Sequence, residues 1–169
     1  MLVKFLPLSF VDWPGHNSVT LFFAGCSYRC PFCHNKELQR FAPEVPGVVE
    51  DIEAHIERHS ALLDAMVLTG GEPSIFLSDY RELIEYARSF GLSICLHTAG
   101  YNAMEIERNH DILDYVIVDG KAETEEEHER ITGFPGSWHR LHSTIRVLEN
   151  YQIPFEIHRL ERKEADDEN

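Results

Sequence analysis

The chain has 169 residues, enough for one domain with a genuine core, and its 43% hydrophobic and 26% charged content is ordinary for a globular protein. A formal net charge of −14 argues against a nucleic-acid partner, because phosphate binding needs a basic face. No run approaches the about 18 apolar residues of a membrane helix, and no signal-peptide pattern opens the chain, so a cytoplasmic location is expected.

Short apolar runs predict strands at Val19–Ala24, Ala65–Thr69, Leu92–Leu96, Tyr115–Val118 and Phe155–His158. Helical spacing falls between them. Val49, Ile52 and Ile56 share one face, as do Tyr80, Leu83, Ile84 and Ala87, with Ser78 or Asp79 as the N-cap and Gly91 as the stop. Shorter helices are expected near Ala103–Arg108 and Thr124–Ile131, and a longer one near Trp138–Asn150. The acidic runs Glu123–Glu127 and about 161–169 read as solvated surface, the second as a tail to a single domain over 1–169.

Strands alternating with helices imply an α/β fold with a parallel sheet. It is either doubly wound or a partial, open (β/α) barrel of about five to six parallel strands with helices on the outer face. Both collect ligands at the C-terminal strand ends. There the sequence places its unusual segments: Cys26–Cys33, then Gly70-Gly71-Glu72-Pro73, His97-Thr98-Ala99-Gly100, Asp119-Gly120-Lys121, and His158-Arg159.

The densest of these is Cys26-Ser27-Tyr28-Arg29-Cys30-Pro31-Phe32-Cys33. Three cysteines crowded into one loop suggest a metal rather than cross-links, and Cys95, alone in an apolar strand, suggests a core residue. Three thiolates hold three irons of a [4Fe-4S] cluster and leave the fourth open. An open iron suits a bidentate amino-carboxylate such as that of S-adenosylmethionine, whose sulfonium the cluster would reduce. Phe32, beside Cys33, would shield the cluster. The competing reading is a structural zinc site of Cys26, Cys30, Cys33 and His34.

Around it, Gly70 and Gly71 permit close approach to the backbone, Glu72 offers a carboxylate to an ammonium, and Pro73 fixes the turn. Thr98 and Gly100 read as a ligand-facing turn, and Asp119, Gly120 and Lys121 as polar contacts to a nucleoside or carboxylate. Each of these has a bland counterpart in an ordinary strand-end turn. His97 reads as easily as a satisfied polar residue.

The spacing C-x3-C-x2-C with an aromatic before the last cysteine, followed by G-G-E-P, resembles the radical S-adenosylmethionine superfamily. Phe10-Val11-Asp12-Trp13-Pro14-Gly15, Thr20 to Cys26, and Cys33-His34-Asn35 resemble glycyl-radical-enzyme activases, in particular those of anaerobic ribonucleoside-triphosphate reductase. The resemblance implies a [4Fe-4S] cluster on Cys26, Cys30 and Cys33. It implies S-adenosylmethionine with its adenine side near Phe32, Cys33 and His34, its amino group near Gly70, Gly71 and Glu72, and its ribose or carboxylate near Asp119 to Lys121. The partners implied are a glycyl radical enzyme and a flavodoxin- or ferredoxin-type electron donor. The chain departs from that pattern at His97, where many activases carry an acid. It departs again at His158-Arg159-Leu160-Glu161-Arg162, where the family tends to show arginine, Thr-Thr and Val-Pro-Gly. These departures keep open a radical enzyme acting on a small molecule, and a zinc module or electron carrier remains a third reading.

Overall fold

The structure, a computed structural model, describes residues 1–159. Its six strands are β1 (Leu2–Ser9), β2 (Ser18–Phe23), β3 (Ala65–Gly70), β4 (Ser93–Thr98), β5 (Tyr115–Gly120) and β6 (Phe155–Arg159). They form one sheet in chain order. β1 runs antiparallel to β2, and each later neighbour pair is parallel. The helices are α1 (Val48–His59), α2 (Arg81–Ser89), α3 (Ala103–Arg108), α4 (Glu125–Thr132) and α5 (Ser137–Asn150).

The strand order decides between the two expected architectures. A doubly wound sheet reverses direction at its switch point, whereas here the order climbs from β2 to β6 without reversal. Right-handed crossovers then place every helix on one face and leave the other turned inward, as in a partial barrel. Side chains alternate between the two faces. Val19, Leu21, Phe23, Met66, Leu68, Ile94, Leu96, Val116 and Val118 meet Ile52, Ile56, Ile84, Ile106, Leu141 and Leu148 in the outer core. Val67, Cys95 and Ile117 form a smaller inner cluster with Trp13 and Tyr115. With both faces covered, β2 and β3 are apolar almost without interruption, which is why those runs stand out in the sequence.

The sixth strand is β1, antiparallel and at the N-terminal edge. Its pattern hides it: Lys4 and Pro7 interrupt the apolar residues, and the pairing with β2 slips between Leu2 and Lys4 and between Leu6 and Ser9. Proline is tolerated in such an edge strand because its missing N–H faces away from the ladder. The expected cap of α2 is also corrected. Its N-cap is Tyr80, without a side-chain bond, and Ser78 Oγ instead donates to Glu105 Oε2 at 2.6 Å. Gly91 does follow the end of α2, with φ +86°. The run Glu123–Glu127 opens α4. Thr124 Oγ1 accepts from the Glu127 N–H at 3.3 Å, and acids in a first turn suit the helix dipole. The expected acidic tail lies outside the described residues. No helix among the described residues is long and apolar enough to cross a membrane.

Candidate functional site

The cysteine loop leaves the C-terminal end of β2 and is held by backbone bonds from three directions. The Gly25 and Cys26 N–H groups donate to Leu38 O at 2.8 Å and Gln39 O at 3.1 Å, and Arg29 N–H donates to Thr132 O, at the end of α4, at 2.7 Å. The Arg29 guanidinium donates to Cys26 O and Tyr28 O, and Gln39 Nε2 donates to Cys30 O at 3.3 Å. All three thiols are free, with Cys30 buried and Cys26 and Cys33 half-buried. They share one apolar cluster with Tyr28, Ile131, Ala99, Tyr101 and Phe134. Cys95 is fully buried on the inner face of the sheet, away from this group.

Burial pushes the Cys26 thiol up to about 12, with the Glu72 carboxylate adding to the effect. Burial also raises Cys30, against the pull of the Lys121 ammonium. Such thiols ionise when a metal supplies the compensating charge, so the donor set suits a metal centre. Among the described residues no group of three or more His, Cys, Asp or Glu could hold a single metal ion. Zinc needs its sulfurs bunched at about 2.3 Å from one ion. A four-iron cluster takes one thiolate per corner and needs them spread. His34, the fourth zinc ligand considered from sequence, is exposed.

The Gly70-Gly71-Glu72-Pro73 turn is bolted to the start of that loop. Gly71 N–H donates to Phe23 O at 2.7 Å and Glu72 N–H to Gly25 O at 2.9 Å. Gly70 has φ +113°, and a Cβ there would stand 2.5 Å from Phe23 O. A Cβ on Gly71 would stand 2.5 Å from Gly25 O. The space beside both glycines is thus filled by the chain's own backbone. Glu72 is 1% exposed. Its Oε1 accepts from Thr98 Oγ1 at 2.6 Å and Ser74 N–H at 3.2 Å, and its Oε2 accepts from Ala99 N–H at 2.8 Å. One carboxylate therefore ties the turn after β3 to the turn after β4. Burial raises its pKa, partly offset by these bonds. Thr98 Oγ1 also accepts from Gly100 N–H at 3.0 Å.

At the end of β5, Lys121 Nζ lies 2.7 Å from Asp119 Oδ2, with the lysine largely buried and the aspartate half-exposed. Burial alone would lower Lys121, but Asp119, then Cys30 and Glu72, outweigh it and hold its pKa above the usual value. Gly120 is buried and pairs with Arg159 across the β5–β6 ladder. The structure thus brings Cys26, Cys30, Cys33, Gly70, Gly71, Glu72, Thr98 and Lys121 to one rim. Phe32, 44% exposed, and His34 are outward members of the loop. His97 faces inward, and its Nε2 is buried without a hydrogen-bond partner. Burial draws its imidazole down, against Asp119 and Asp12.

Several contributors gave no spacing signal. Asp12 Oδ2 accepts from Thr20 Oγ1 at 2.8 Å, and Trp13 stacks on Tyr115 with ring centroids 5.5 Å apart, so the β1–β2 loop closes the inner face. Tyr28, inside the cysteine loop, is buried against Tyr101 and Phe134. Arg140 lies 4.5 Å from the centre of the Tyr101 ring and donates to Tyr101 O at 3.1 Å.

A family described as a 4Fe-4S single cluster domain matches residues 11–140, from the Asp12–Trp13 plug through the cysteine loop to α5. The chain belongs to this family. Among relatives of this 4Fe-4S single cluster domain, a protein of Methanocaldococcus jannaschii named as a glycyl-radical enzyme activating enzyme is 34% identical over 117 residues, 68% of this chain and 47% of that one. Pyruvate formate-lyase 1-activating enzyme of Escherichia coli K12 is 27% identical over 150 residues, 85% of this chain and 60% of that one. The chain thus spans between about half and three-fifths of the length of these curated relatives. The structure of anSMEcpe with bound AdoMet shares the fold, with a TM-score of 0.59 at 18% identity, over 80% of this chain and 40% of that one.

Proposed function

We propose that this chain is a radical S-adenosylmethionine activase that generates a glycyl radical on a partner enzyme, anaerobic ribonucleoside-triphosphate reductase, with electrons from a flavodoxin- or ferredoxin-type donor. The observation that carries the reading is the set of three free thiols in one apolar-walled loop, bolted to the Gly70–Pro73 turn. The named activating enzymes among its relatives support the reaction class. The finer choice of partner rests on Asp12-Trp13-Pro14-Gly15 and Cys33-His34-Asn35.

In this reading Cys26, Cys30 and Cys33 hold a [4Fe-4S] cluster with one open iron. A cluster held there would supply the electron for reductive cleavage of a carbon–sulfur bond of S-adenosylmethionine, the chemistry needed to take a hydrogen atom from a glycine Cα. The residues of the chain hold and orient these groups. The Gly70–Glu72 turn and Thr98 form the wall assigned to the amino-acid end of the cofactor. Lys121 brings a positive charge toward the cysteines and suits a carboxylate, with Asp119 fixing its position. Phe32 and His34 stand on the exposed side of the loop, which we assign to the adenine. Tyr28, Tyr101 and Phe134 keep water from the back of the loop. We read the chain as a single radical domain working in the cytoplasm.

The test is anaerobic reconstitution with iron and sulfide, followed by electron paramagnetic resonance of the reduced protein with and without S-adenosylmethionine. A [4Fe-4S]+ signal that changes with the cofactor, and then a glycyl radical doublet on added anaerobic ribonucleotide reductase, is the expected result. A doublet on pyruvate formate-lyase alone would reassign the partner. Cofactor cleavage with neither protein but with a soluble metabolite would overturn the activase reading.

A further inference from the structure

Tyr28 lies between Cys26 and Cys30 in the chain and is the largest fully buried side chain among the described residues, 1% exposed. Its ring meets Tyr101 edge-on at 5.6 Å between centroids and Phe134 at 5.7 Å. It packs in one apolar cluster with Cys26, Cys30 and Cys33. Its hydroxyl, by contrast, is buried with no hydrogen-bond partner among the described residues. Leaving such a group unpaired costs about 1–3 kcal/mol, and native structures keep few of them.

A phenol stays neutral at physiological pH and always has a proton to donate. The groups that act electrostatically on this hydroxyl are Glu72, Arg140, Cys26 and Tyr101. Both oxygens of Glu72 are already engaged by Thr98, Ser74 and Ala99. Arg140 can only donate. Neither the Tyr101 hydroxyl nor the Cys26 sulfur comes within hydrogen-bonding distance of it, so the open partner is a group added beside them, and the Cys26 sulfur is where a cluster would be bonded.

Resting on the cluster reading above, we propose that the Tyr28 hydroxyl is a hydrogen-bond donor to the sulfur atoms of the [4Fe-4S] cluster on its Cys26 side, and that this bond sets the cluster's reduction potential. Hydrogen bonds to cluster sulfurs stabilise the extra negative charge of the reduced state and raise its potential. Tyr28 therefore eases loading of the electron and moderates the driving force toward the sulfonium. No sequence spacing marks it, because its role is defined by a missing partner.

Tyr28→Phe keeps the ring and removes only the hydroxyl. Two readouts test it in the full chain. In cluster-free protein the variant unfolds at the same temperature as the parent or higher, since an unpaired hydroxyl has gone; in cluster-loaded protein it unfolds earlier than the parent. Potentiometric titration followed by electron paramagnetic resonance gives a more negative midpoint for the variant at equal iron content, while Tyr101→Phe, which removes a neighbouring hydroxyl, leaves the midpoint unchanged. An unchanged midpoint in Tyr28→Phe overturns the proposal. So does weaker S-adenosylmethionine binding at an unchanged midpoint, which would assign the hydroxyl to the cofactor. A less stable cluster-free variant would reveal an internal partner and also overturn it. If the parent itself takes up no cluster, the reading on which the proposal rests falls, and the proposal with it.

Discussion

Gly71→Ala tests whether the cysteine loop and the Gly70–Pro73 turn are one mechanical unit. An added Cβ would stand 2.5 Å from Gly25 O, 2.7 Å from Leu38 O and 2.9 Å from Gly25 C, all backbone atoms with no rotamer to escape into. Ordinary contact begins near 3.4 Å, so Gly25 must retreat by about 0.9 Å. That retreat strains two bonds, Glu72 N–H to Gly25 O at 2.9 Å and Gly25 N–H to Leu38 O at 2.8 Å. Overpacking costs about 1–3 kcal/mol and each weakened bond up to about 1 kcal/mol. The stiffer unfolded chain returns about 0.4–1 kcal/mol. The net is a loss of up to about 4–5 kcal/mol, centred near 2 kcal/mol, or roughly 4–8 °C in Tm for a chain of this size. Circular dichroism melting of the cluster-free protein measures it, and iron and sulfide counts after reconstitution report the displaced cysteines. Gly47→Ala is the control: no atom lies within 4 Å of its Cβ, and only its φ of +82° is strained, which costs about 1–2 kcal/mol. If Gly71→Ala melts no lower than Gly47→Ala and holds a full cluster, the coupling argument is wrong.

Cys30→Ala removes a thiol set between Cys26 and Cys33 in the apolar cluster; we expect loss of visible cluster absorbance with the fold retained, and global unfolding would instead indicate a structural metal. Cys95→Ala, on the inner face, should keep the cluster and cost about 1–2 kcal/mol, read by thermal melting. Glu72 has a folded pKa raised by burial, so its contribution to stability is full below the unfolded carboxyl value of about 4.3 and is lost as pH rises through the folded pKa. Glu72→Gln should flatten that part of the stability–pH curve of the cluster-free protein and leave cluster absorbance intact while weakening S-adenosylmethionine binding. A slope unchanged from the parent would mean that Glu72 is not the group responsible, and unchanged cofactor affinity would remove it from the binding wall.

The five parallel strands and five helices were legible because burial on both faces makes strands continuously apolar, and helices between them bury one stripe. β1 was not, since an edge strand with Lys4 and Pro7 has no such run. The cysteine loop announced itself through thiol chemistry at close spacing. Asp12 and Trp13 could be matched to a family but not placed. Their role depends on Thr20 and Tyr115, which come from different strands, and no local pattern records that meeting. Tyr28 was less visible still, an aromatic among cysteines with nothing to distinguish shielding from donation.

Gly70 and Gly71 show most clearly what a sequence withholds. Paired glycines at a strand end say that something comes close, without saying what. Here the visitor is the protein itself: Phe23 backbone beside Gly70 and Gly25 backbone beside Gly71. The consequence is functional as well as structural. Gly25 directly precedes Cys26, and Glu72 directly follows Gly71. The same backbone approach that closes the turn therefore fixes the first cysteine relative to the carboxylate, and Glu72 carries the constraint on to Thr98 and Ala99 through its own hydrogen bonds. The cysteine loop and the wall assigned to the cofactor are thereby held as one body. A change at either glycine should move both together, and a change that moved only one would have to break the bond between Glu72 N–H and Gly25 O first.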